Sequence, residues 1–332
     1  MLAAATALSA AACGGGGKTS RPIQHHLVYV RGTGVNVATV WIADVDGRHP
    51  RRLGTGVAGV LSPDGTTVAI AKRGGGIYLV PSEGGRERRL TARQLQPRAW
   101  AGDGKTLFAT AQTANAVVEL DALDRTSGRV RTIARGSLYG FDVSPDGEQL
   151  VYSRAPEATT EGICGDQFDL YVTDVEGGEA KRLTHDGLSA FPVWGESGIA
   201  FAHFPPGGTL QDCSSPGIST IDADGANERA VLERAPDAIV FSGFYGLQPL
   251  AWLDARRVLV GLRSDNGTEG AVLDTRGRNL RRLNDYADEA SSDGRFAVGS
   301  GGEQSLAVSI LRISDGKRVF HRNSACCPDW NR

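Results

Sequence analysis

The chain has 332 residues, of which 40% are hydrophobic and 22% charged, and its formal net charge is −2. This composition is that of a globular protein long enough to bury one large core or two smaller ones. Proteins that bind nucleic acid usually carry a basic face or dense Lys/Arg runs with interleaved aromatic residues. The sequence has no such run, and we therefore expect no nucleic-acid partner.

The first 13 residues, MLAAATALSAAAC, are an apolar stretch that ends in small residues and a cysteine. The stretch is too short to span a bilayer as a helix, which needs about 20 apolar residues, but it matches a secretory signal. Its ending resembles a bacterial lipobox, which predicts a signal segment over 1–13 and lipidation of Cys13. Residues 14–26 begin with four glycines and are predicted to form a flexible tether. The alternative is an Ala-rich cytoplasmic N-terminus with an incidental cysteine.

Four short signatures recur in fixed order along residues 27–332. They are a strand that leads into a Ser-Pro-Asp-Gly-like turn, a β-branched strand, a strand that ends in an Asp-rich turn, and a basic strand. Examples are VLSPDG (60–65), TVAIAK (67–72), LYVTDVEGG (170–178) and RRLT (88–91). Asp-Gly pairs favour hairpin turns because glycine tolerates positive φ, and the alternation of apolar and polar residues indicates half-buried strands. Four antiparallel strands in about 40 residues are typical of a propeller blade.

The third signature occurs seven times, at 40–47, 77–85, 117–128, 170–178, 218–225, 271–277 and 306–316. This count predicts an all-β, seven-bladed β-propeller of four-stranded blades, with six blades as the alternative. The repeat unit that starts at LVYVRG (27–32) is not preceded by the first of the four strands, which is the innermost strand of a blade. ACCPDWNR (325–332) contains a Pro-x-Trp pattern like that of FPVW (191–194), so it is predicted to supply that strand and to bury Trp330.

Pairs of arginines recur at equivalent positions of the repeat, namely Arg51-Arg52, Arg88-Arg89 and Arg281-Arg282. We interpret them as solvated strand edges, where charged side chains oppose pairing with a foreign strand.

The Pro-x-Trp strand, Ser-Pro-Asp-Gly, Tyr-Val-x-Asp-x-x-Gly-Gly and Arg-Arg-Leu-Thr together resemble the TolB-type, WD40-like propeller repeat, best at residues 139–184. The resemblance covers about residues 27–332 and implies interaction with other proteins of the bacterial cell envelope. It does not extend to the N-terminal α/β domain of TolB. We therefore expect an actinobacterial-like lipoprotein related to this propeller family, and not TolB itself.

The sequence contains no motif for a known catalytic centre. A serine hydrolase would need a GxSxG turn, and GLSAF (187–191) fails at its last position. The six histidines include no HExxH spacing, and DVDG (44–47) and DADG (222–225) are explained by hairpin turns. No enzyme activity, cofactor or metal site is predicted.

Three long segments, 155–168, 203–217 and 233–248, fall on one face of the predicted propeller. Long loops in compact domains are often functional. Six residues on or beside them are predicted to bind a partner, the aromatic ones as anchors and the acidic ones as a polar rim: Phe204, Phe241, Phe244, Tyr245, Asp166 and Asp212. The alternative is that the aromatic residues pack these segments onto the propeller.

Besides Cys13, four cysteines are present, an even number that fits an exported protein with disulfides. Cys164 and Cys213 occupy equivalent loops of neighbouring blades and are predicted to form a disulfide. Cys326 and Cys327 are predicted either to form a vicinal disulfide or to remain buried thiols.

The leading functional hypothesis is a monomeric lipoprotein that is anchored by Cys13 to the outer leaflet of the cytoplasmic membrane. It would bind another envelope protein or peptide through the face that carries the three long segments, here called the long-loop face. The alternative is a ligand-binding module at the channel mouth, or a metal-dependent hydrolase resembling a lactonase. The enzyme would require Glu, Asp, Asn or His side chains to converge at that mouth. Three or more such groups would favour it, whereas an apolar or shallow mouth would favour protein binding.

Overall fold

A computed structural model describes residues 26–32, 38–112, 118–155, 167–205, 216–233, 246–264, 267–276, 279–301 and 307–330. The regular secondary structure of these residues is entirely β-strand, which confirms the predicted all-β class. Within these ranges, no helix has the length and apolar character needed to cross a membrane.

The strands are numbered in chain order. The first nine are β1 (His26–Arg31), β2 (Thr39–Asp44), β3 (Arg51–Thr55), β4 (Ala58–Leu61), β5 (Thr67–Ala71), β6 (Ile77–Pro81), β7 (Arg88–Thr91), β8 (Gln96–Trp100) and β9 (Thr106–Gln112). The next nine are β10 (Val118–Asp124), β11 (Val130–Val143), β12 (Gln149–Ala155), β13 (Asp169–Asp174), β14 (Lys181–Arg182), β15 (Ser189–Gly195), β16 (Gly198–His203), β17 (Gly217–Ile221) and β18 (Arg229–Leu232). The last nine are β19 (Leu247–Trp252), β20 (Arg257–Ser264), β21 (Gly267–Asp274), β22 (Asn279–Tyr286), β23 (Glu289–Ala290), β24 (Phe296–Ser300), β25 (Ala307–Arg312), β26 (Arg318–Asn323) and β27 (Ala325–Trp330).

The described strands form six antiparallel sheets, arranged as expected for a β-propeller. Five sheets have four strands, in the orders β27-β1-β2-β3, β4-β5-β6-β7, β15-β16-β17-β18, β19-β20-β21-β22 and β23-β24-β25-β26. The sixth has seven strands, from β8 to β14, because β11 belongs to two groups. Its first part pairs with β10, as in Val118↔Gly136, and its second part pairs with β12, as in Ser137↔Ala155.

The first sheet contains strands from both ends of the described chain. β27 lies antiparallel to β1, with Leu27 opposite Trp330 and Arg31 opposite Ala325. Trp330 is 2% exposed, so this aromatic side chain near the C-terminus is part of the core.

Each Ser-Pro-Asp-Gly turn is held by its own side chains. In the turn after β4, Asp64 Oδ1 accepts hydrogen bonds from Ser62 Oγ at 2.5 Å and from the Thr66 amide at 3.0 Å. Gly65 follows with a φ of 68°, a conformation that glycine adopts without a steric cost. The same serine-to-aspartate hydrogen bond occurs in the Ser-Pro-Asp-Gly turn at 144–147 and in the Ser-Ser-Asp-Gly turn at 291–294. These sequences therefore end the inner strand and begin the next one.

The hydrophobic core lies between neighbouring sheets. Val28 of the first sheet packs in a cluster with Val68 of the second. The adjacent residue Tyr29, which points to the other side of β1, packs with Val298 of the last four-stranded sheet and with Trp330. The first sheet is thus covered on both faces.

Side chains of the basic strands also connect neighbouring sheets. In each arginine pair, the first residue donates a hydrogen bond to a backbone carbonyl at or just after the third strand of the next sheet or strand group. The bonds are Arg51 to Ser82 at 2.6 Å, Arg88 to Arg125 at 2.5 Å and Arg281 to Ile313 at 2.6 Å. Arg131 and Lys181 make equivalent bonds to Val175 and Asp224. These residues therefore do more than protect strand edges, which is all that the sequence had suggested.

Candidate functional site

A cavity of about 460 Å³ lies among the innermost strands of the sheets. It is lined by residues at the ends of β4, β8, β11, β15, β19, β23 and β27, or in the turns that directly follow them. Its volume falls in the usual range of small-molecule binding pockets, about 300–1,000 Å³.

The cavity lies at the strand ends opposite to those that lead into the long segments. In the β15–β16 pair, Gly195 borders the cavity and faces Gly198, whereas Ser189 and His203 pair at the far end. β12 likewise ends at Ala155, which pairs with Ser137, far from the cavity-lining Val143. The sequence thus predicted a functional surface on the face that carries the long segments, whereas the described cavity lies at the opposite strand ends.

Tryptophan side chains form part of the cavity wall and bind the preceding inner strand. Trp100 Nε1 donates to the carbonyl of Val60 at 3.3 Å, and Trp252 Nε1 donates to the carbonyl of Val193, also at 3.3 Å. Trp252 lies directly on Gly195, where an added Cβ would be only 2.4 Å from Trp252 Cγ. These contacts hold the indole rings in place.

Three of the four carboxylates that line the cavity accept hydrogen bonds from backbone amides. Asp142 Oδ2 accepts from the Trp194 amide and Asp329 Oδ2 from the Leu61 amide, both at 2.9 Å. Asp254 Oδ1 accepts hydrogen bonds from the backbone amides of Arg256 and Arg257. Glu196 is the fourth. Most of the acidic groups are therefore involved in holding the backbone around the cavity.

Among the described residues that line the cavity, Arg98 is the only basic one. Its Nε donates to Thr110 Oγ1 at 3.0 Å. Arg98 is exposed, but the surrounding protein removes part of its hydration, and this desolvation lowers the pKa of the Arg98 guanidinium. Arginine remains charged even so, and Arg98 can therefore bind an anionic group that enters the cavity.

Arg98, Asp142 and Asp329 were not among the site residues predicted from the sequence. The sequence did contain a signal. Asp142 and Asp329 align with Val60 in the repeat, and Arg98 directly precedes the residue that aligns with Val60. The pattern could not show that this position borders a cavity.

Of the predicted partner-binding residues, only Phe204 lies within the described residues. It is partly buried against a cluster formed by Ala155, Phe168 and Ala190, and its amide donates to the Leu188 carbonyl at 2.9 Å. This placement agrees with the alternative that the residue packs its segment onto the propeller. Asp166, Asp212, Phe241, Phe244 and Tyr245, together with Cys13, Cys164 and Cys213, lie outside the described residues.

The sulfur atoms of Cys326 and Cys327 lie against each other within β27. Cys326 also packs beside the core cluster that contains Val28. The two cysteines are thus positioned for a vicinal disulfide in the strand that pairs with β1.

A separate group of possible metal ligands lies away from the cavity lining. One ligand atom from each of Asp186, His203 and Glu228 lies within 4.8 Å of the other two.

No family model matches the chain. An uncharacterized protein of Agrobacterium fabrum is 28% identical over 174 residues, which cover 48% of this chain and 53% of that protein. The chain therefore spans about half the length of this relative.

Several solved structures are similar in fold. TolB from Acinetobacter baumannii superposes with a TM-score of 0.56 at 17% identity, covering 92% of this chain and 66% of that one. An oligogalacturonate lyase from Vibrio parahaemolyticus gives 0.55 at 14%, covering 91% and 85%. A puromycin-hydrolyzing peptidase of Mycobacterium tuberculosis gives 0.56 at 13%, covering 89% and 53%. The chain thus has a TolB-like β-propeller fold, which also occurs in enzymes and does not decide between binding and catalysis.

Proposed function

We propose that this protein is an exported, membrane-anchored propeller of the cell envelope that binds another protein or a peptide and has no catalytic activity of its own. The observation that carries the proposal is the tryptophan-walled cavity with Arg98 at its lining. Aromatic and arginine side chains contribute most of the binding energy in many protein interfaces. An extended segment with an acidic side chain or a carboxyl terminus would fit this chemistry.

Binding is favoured over catalysis because of the roles of the carboxylates. A hydrolase would need acidic or histidine side chains with open positions towards a substrate. Four carboxylates line the cavity, Glu196 among them, but Asp142, Asp254 and Asp329 accept hydrogen bonds from backbone amides. Their contacts are those of groups that fix the cavity wall.

We propose that the propeller has seven blades, with β27 as the innermost strand of the first blade. Support comes from the seven inner strands that contribute to the cavity lining and from the division of β11 between two strand partners. The pairing of β27 with β1 supports closure of the ring by both ends of the chain. Such closure would protect strand edges that could otherwise pair with foreign chains.

Export and lipidation at Cys13 remain part of the proposal on the basis of the N-terminal pattern. The test is to express the full chain and its Cys13→Ser variant in a bacterial host and to measure membrane association and the mass of the mature N-terminus. A lipid adduct that the variant lacks supports anchoring. An unmodified N-terminus in both proteins contradicts it.

The binding function is tested by crosslinking the full chain to its envelope partner through a photoreactive residue at position 196, which borders the cavity. Arg98→Glu is expected to abolish a discrete adduct because it reverses the charge at the lining. Arg86→Glu is the matched control, since Arg86 is an exposed arginine outside that lining. An adduct that survives Arg98→Glu unchanged contradicts binding at the cavity.

The long-loop face is a second surface in this proposal. Replacing residues 206–215 and 234–245 with short Gly-containing turns leaves the flanking strands intact and tests that face separately. If this variant loses the adduct while the Arg98→Glu variant still forms it, the binding site lies on the long-loop face and not at the cavity.

The volume of the cavity also favours a second candidate, a small anionic ligand bound beside Arg98. Mass spectrometry of the gently purified full chain distinguishes the two candidates. A bound small molecule that Arg98→Glu no longer retains supports this alternative, and a crosslinked polypeptide supports the first.

A further inference from the structure

Asp186, His203 and Glu228 form a group that the proposed binding function does not use. Asp186 lies between β14 and β15, His203 is the last residue of β16, and Glu228 directly precedes β18. One ligand atom from each lies within 4.8 Å of the other two. Three separate segments thus bring one imidazole and two carboxylates to a single point.

The imidazole of His203 is oriented with Nε2 towards the group. Nε2 lies 2.7 Å from Asp186 Oδ2, whereas Nδ1 lies 3.5 Å from Ser219 Oγ. Without a metal, Nε2–H donates a hydrogen bond to Asp186. When a metal takes the place of that proton, the imidazole carries its proton on Nδ1, where the Ser219 hydroxyl oxygen can accept a hydrogen bond. Histidine ligands of metals commonly have their second nitrogen held in this way.

The carboxylate of Asp186 is positioned by its own connection. Its Oδ1 accepts a hydrogen bond from the Leu188 amide at 3.0 Å, which leaves Oδ2 directed towards His203. The side chains of His203 and Asp186 are 30% and 41% exposed. A hydrated ion can therefore reach these atoms from the solvent.

We propose that Asp186, His203 and Glu228 bind a zinc ion, with water completing its coordination. The imidazole favours first-row transition metals over magnesium or calcium, and two carboxylates balance the charge of a divalent cation. Zinc can be held by three protein ligands with water in the fourth position, an arrangement known from catalytic zinc sites. With metal–ligand bonds of about 2.0 Å, neighbouring ligands on tetrahedral zinc are about 3.3 Å apart. Binding therefore requires the Asp186–His203 pair to open slightly, which exposed side chains can accommodate.

Zinc at this point would connect the end of β16 to the start of β18 and to the β14–β15 connection. A ligand that binds the folded state and not the unfolded one raises the temperature of unfolding. Zinc is therefore expected to raise the melting temperature of the full chain, and this measurement does not depend on any activity.

The test is calorimetric titration of the chelator-treated full chain with zinc chloride, combined with thermal unfolding. We expect one equivalent of bound zinc, at least tenfold weaker binding for His203→Ala and for Glu228→Gln, and no zinc-dependent stabilisation of either variant. Glu228 is exposed, so its amide variant should fold even if His203→Ala does not.

His321→Ala is the matched control. The imidazole of His321 lies 3.0 Å from Ser309 Oγ and 2.9 Å from Asn323 Oδ1, so it has the same serine contact but an amide in place of the carboxylate. This variant should bind zinc like the parent protein. Zinc binding that survives both His203→Ala and Glu228→Gln would point to the cysteines and overturn the proposal. Absence of saturable binding to the parent protein would overturn it as well.

Discussion

Asp329 Oδ2 accepts a hydrogen bond of 2.9 Å from the backbone amide of Leu61, which lies 268 positions earlier in the chain. Asp142 makes the equivalent contact to the Trp194 amide, also at 2.9 Å. In both cases a carboxylate on one innermost strand binds the amide of another innermost strand. Because Leu61 is 2% exposed, its amide has little access to water if the carboxylate is lost.

Replacement of Asp329 by Ala is therefore expected to lower the free energy of unfolding by about 1–3 kcal/mol, the cost of a buried unpaired amide. Asp329→Asn should cost less, since the amide oxygen of asparagine can still accept the bond. Urea unfolding followed by circular dichroism measures both. Asp103→Ala, which removes an exposed carboxylate that accepts from the Lys105 amide, is the control. Equal losses for the alanine and asparagine variants of Asp329 would contradict this role.

Gly195 leaves the space that Trp252 occupies. A Cβ at Gly195 would lie 2.4 Å from Trp252 Cγ and 2.6 Å from its Cδ1, so Gly195→Ala must displace the indole ring. We expect a loss of about 1–3 kcal/mol in the free energy of unfolding, as for other overpacked sites, and a change in tryptophan fluorescence. Gly54→Ala is the matched control because a Cβ there meets nothing within 4 Å. Unchanged fluorescence in Gly195→Ala would show that the ring does not lie on this glycine.

The two arginines of a pair are expected to differ in their contribution to stability. Arg88 donates to the carbonyl of Arg125 at 2.5 Å, across to the strands that follow, while the adjacent Arg89 is an exposed residue of the same strand. Arg88→Ala should lower the free energy of unfolding by about 0.2–1 kcal/mol, the usual range for exposed charged contacts. Arg89→Ala should change it less. Urea unfolding of both variants provides the comparison. Equal effects of the two substitutions would show that the hydrogen bond of Arg88 adds no stability beyond that of a surface charge.

The Ser-Pro-Asp-Gly turns should make stability depend on pH in the acid range. Burial alone would raise the pKa of Asp64, but hydrogen bonds from Ser62 and Thr66 and the charge of Arg125 outweigh it and lower the pKa to about 2. The pKa of Asp146 is lowered mainly by its hydrogen bond from Ser144. In the related Ser-Ser-Asp-Gly turn, burial would raise the pKa of Asp293, but contacts with Ser291 and Arg295 outweigh it and lower the pKa. A lowered pKa in the folded state stabilises the protein above the unfolded value, about 4, and this contribution disappears as the pH falls towards 2.

Asp64→Asn should therefore be less stable than the parent protein at neutral pH and approach it near pH 2. Because the Asp64 side chain is 48% exposed, we expect a difference of only about 1 kcal/mol after solvent screening. Urea unfolding at a series of pH values measures it. A difference between the two proteins that stays constant with pH would exclude the carboxylate as its source.

Much of the strand pattern could be read from the sequence because alternation and turn chemistry act over a few residues. VWIADVDG (40–47) contains most of β2 and its turn, and the Ser-Pro-Asp-Gly segments follow inner strands as predicted. The long strand β11 was not evident, because RTIA (131–134) and DVSPDG (142–147) suggested two separate strands. Its continuity depends on pairing with two different partners, β10 and β12, which no local pattern encodes.

The tryptophans at the ends of inner strands were also recognisable, since they recur at one position of the repeat. Their function as a cavity wall was not, and the repeat positions of Arg98 and Asp142 did not show that these residues border a cavity. Whether a repeat position faces a cavity depends on the tilt and packing of whole sheets around a common centre, and the residues concerned lie between positions 60 and 330.

The sequence by itself thus determined the all-β class, the recurring turns and the equivalent positions of the repeat, because these follow from short-range periodicity and the preferences of Asp, Gly and Pro. Only the tertiary structure decided that Arg98 borders the cavity and that His203 lies beside Asp186 and Glu228. These contacts join residues on different strands and connections, and they depend on strand register and on side-chain direction, which local sequence does not specify.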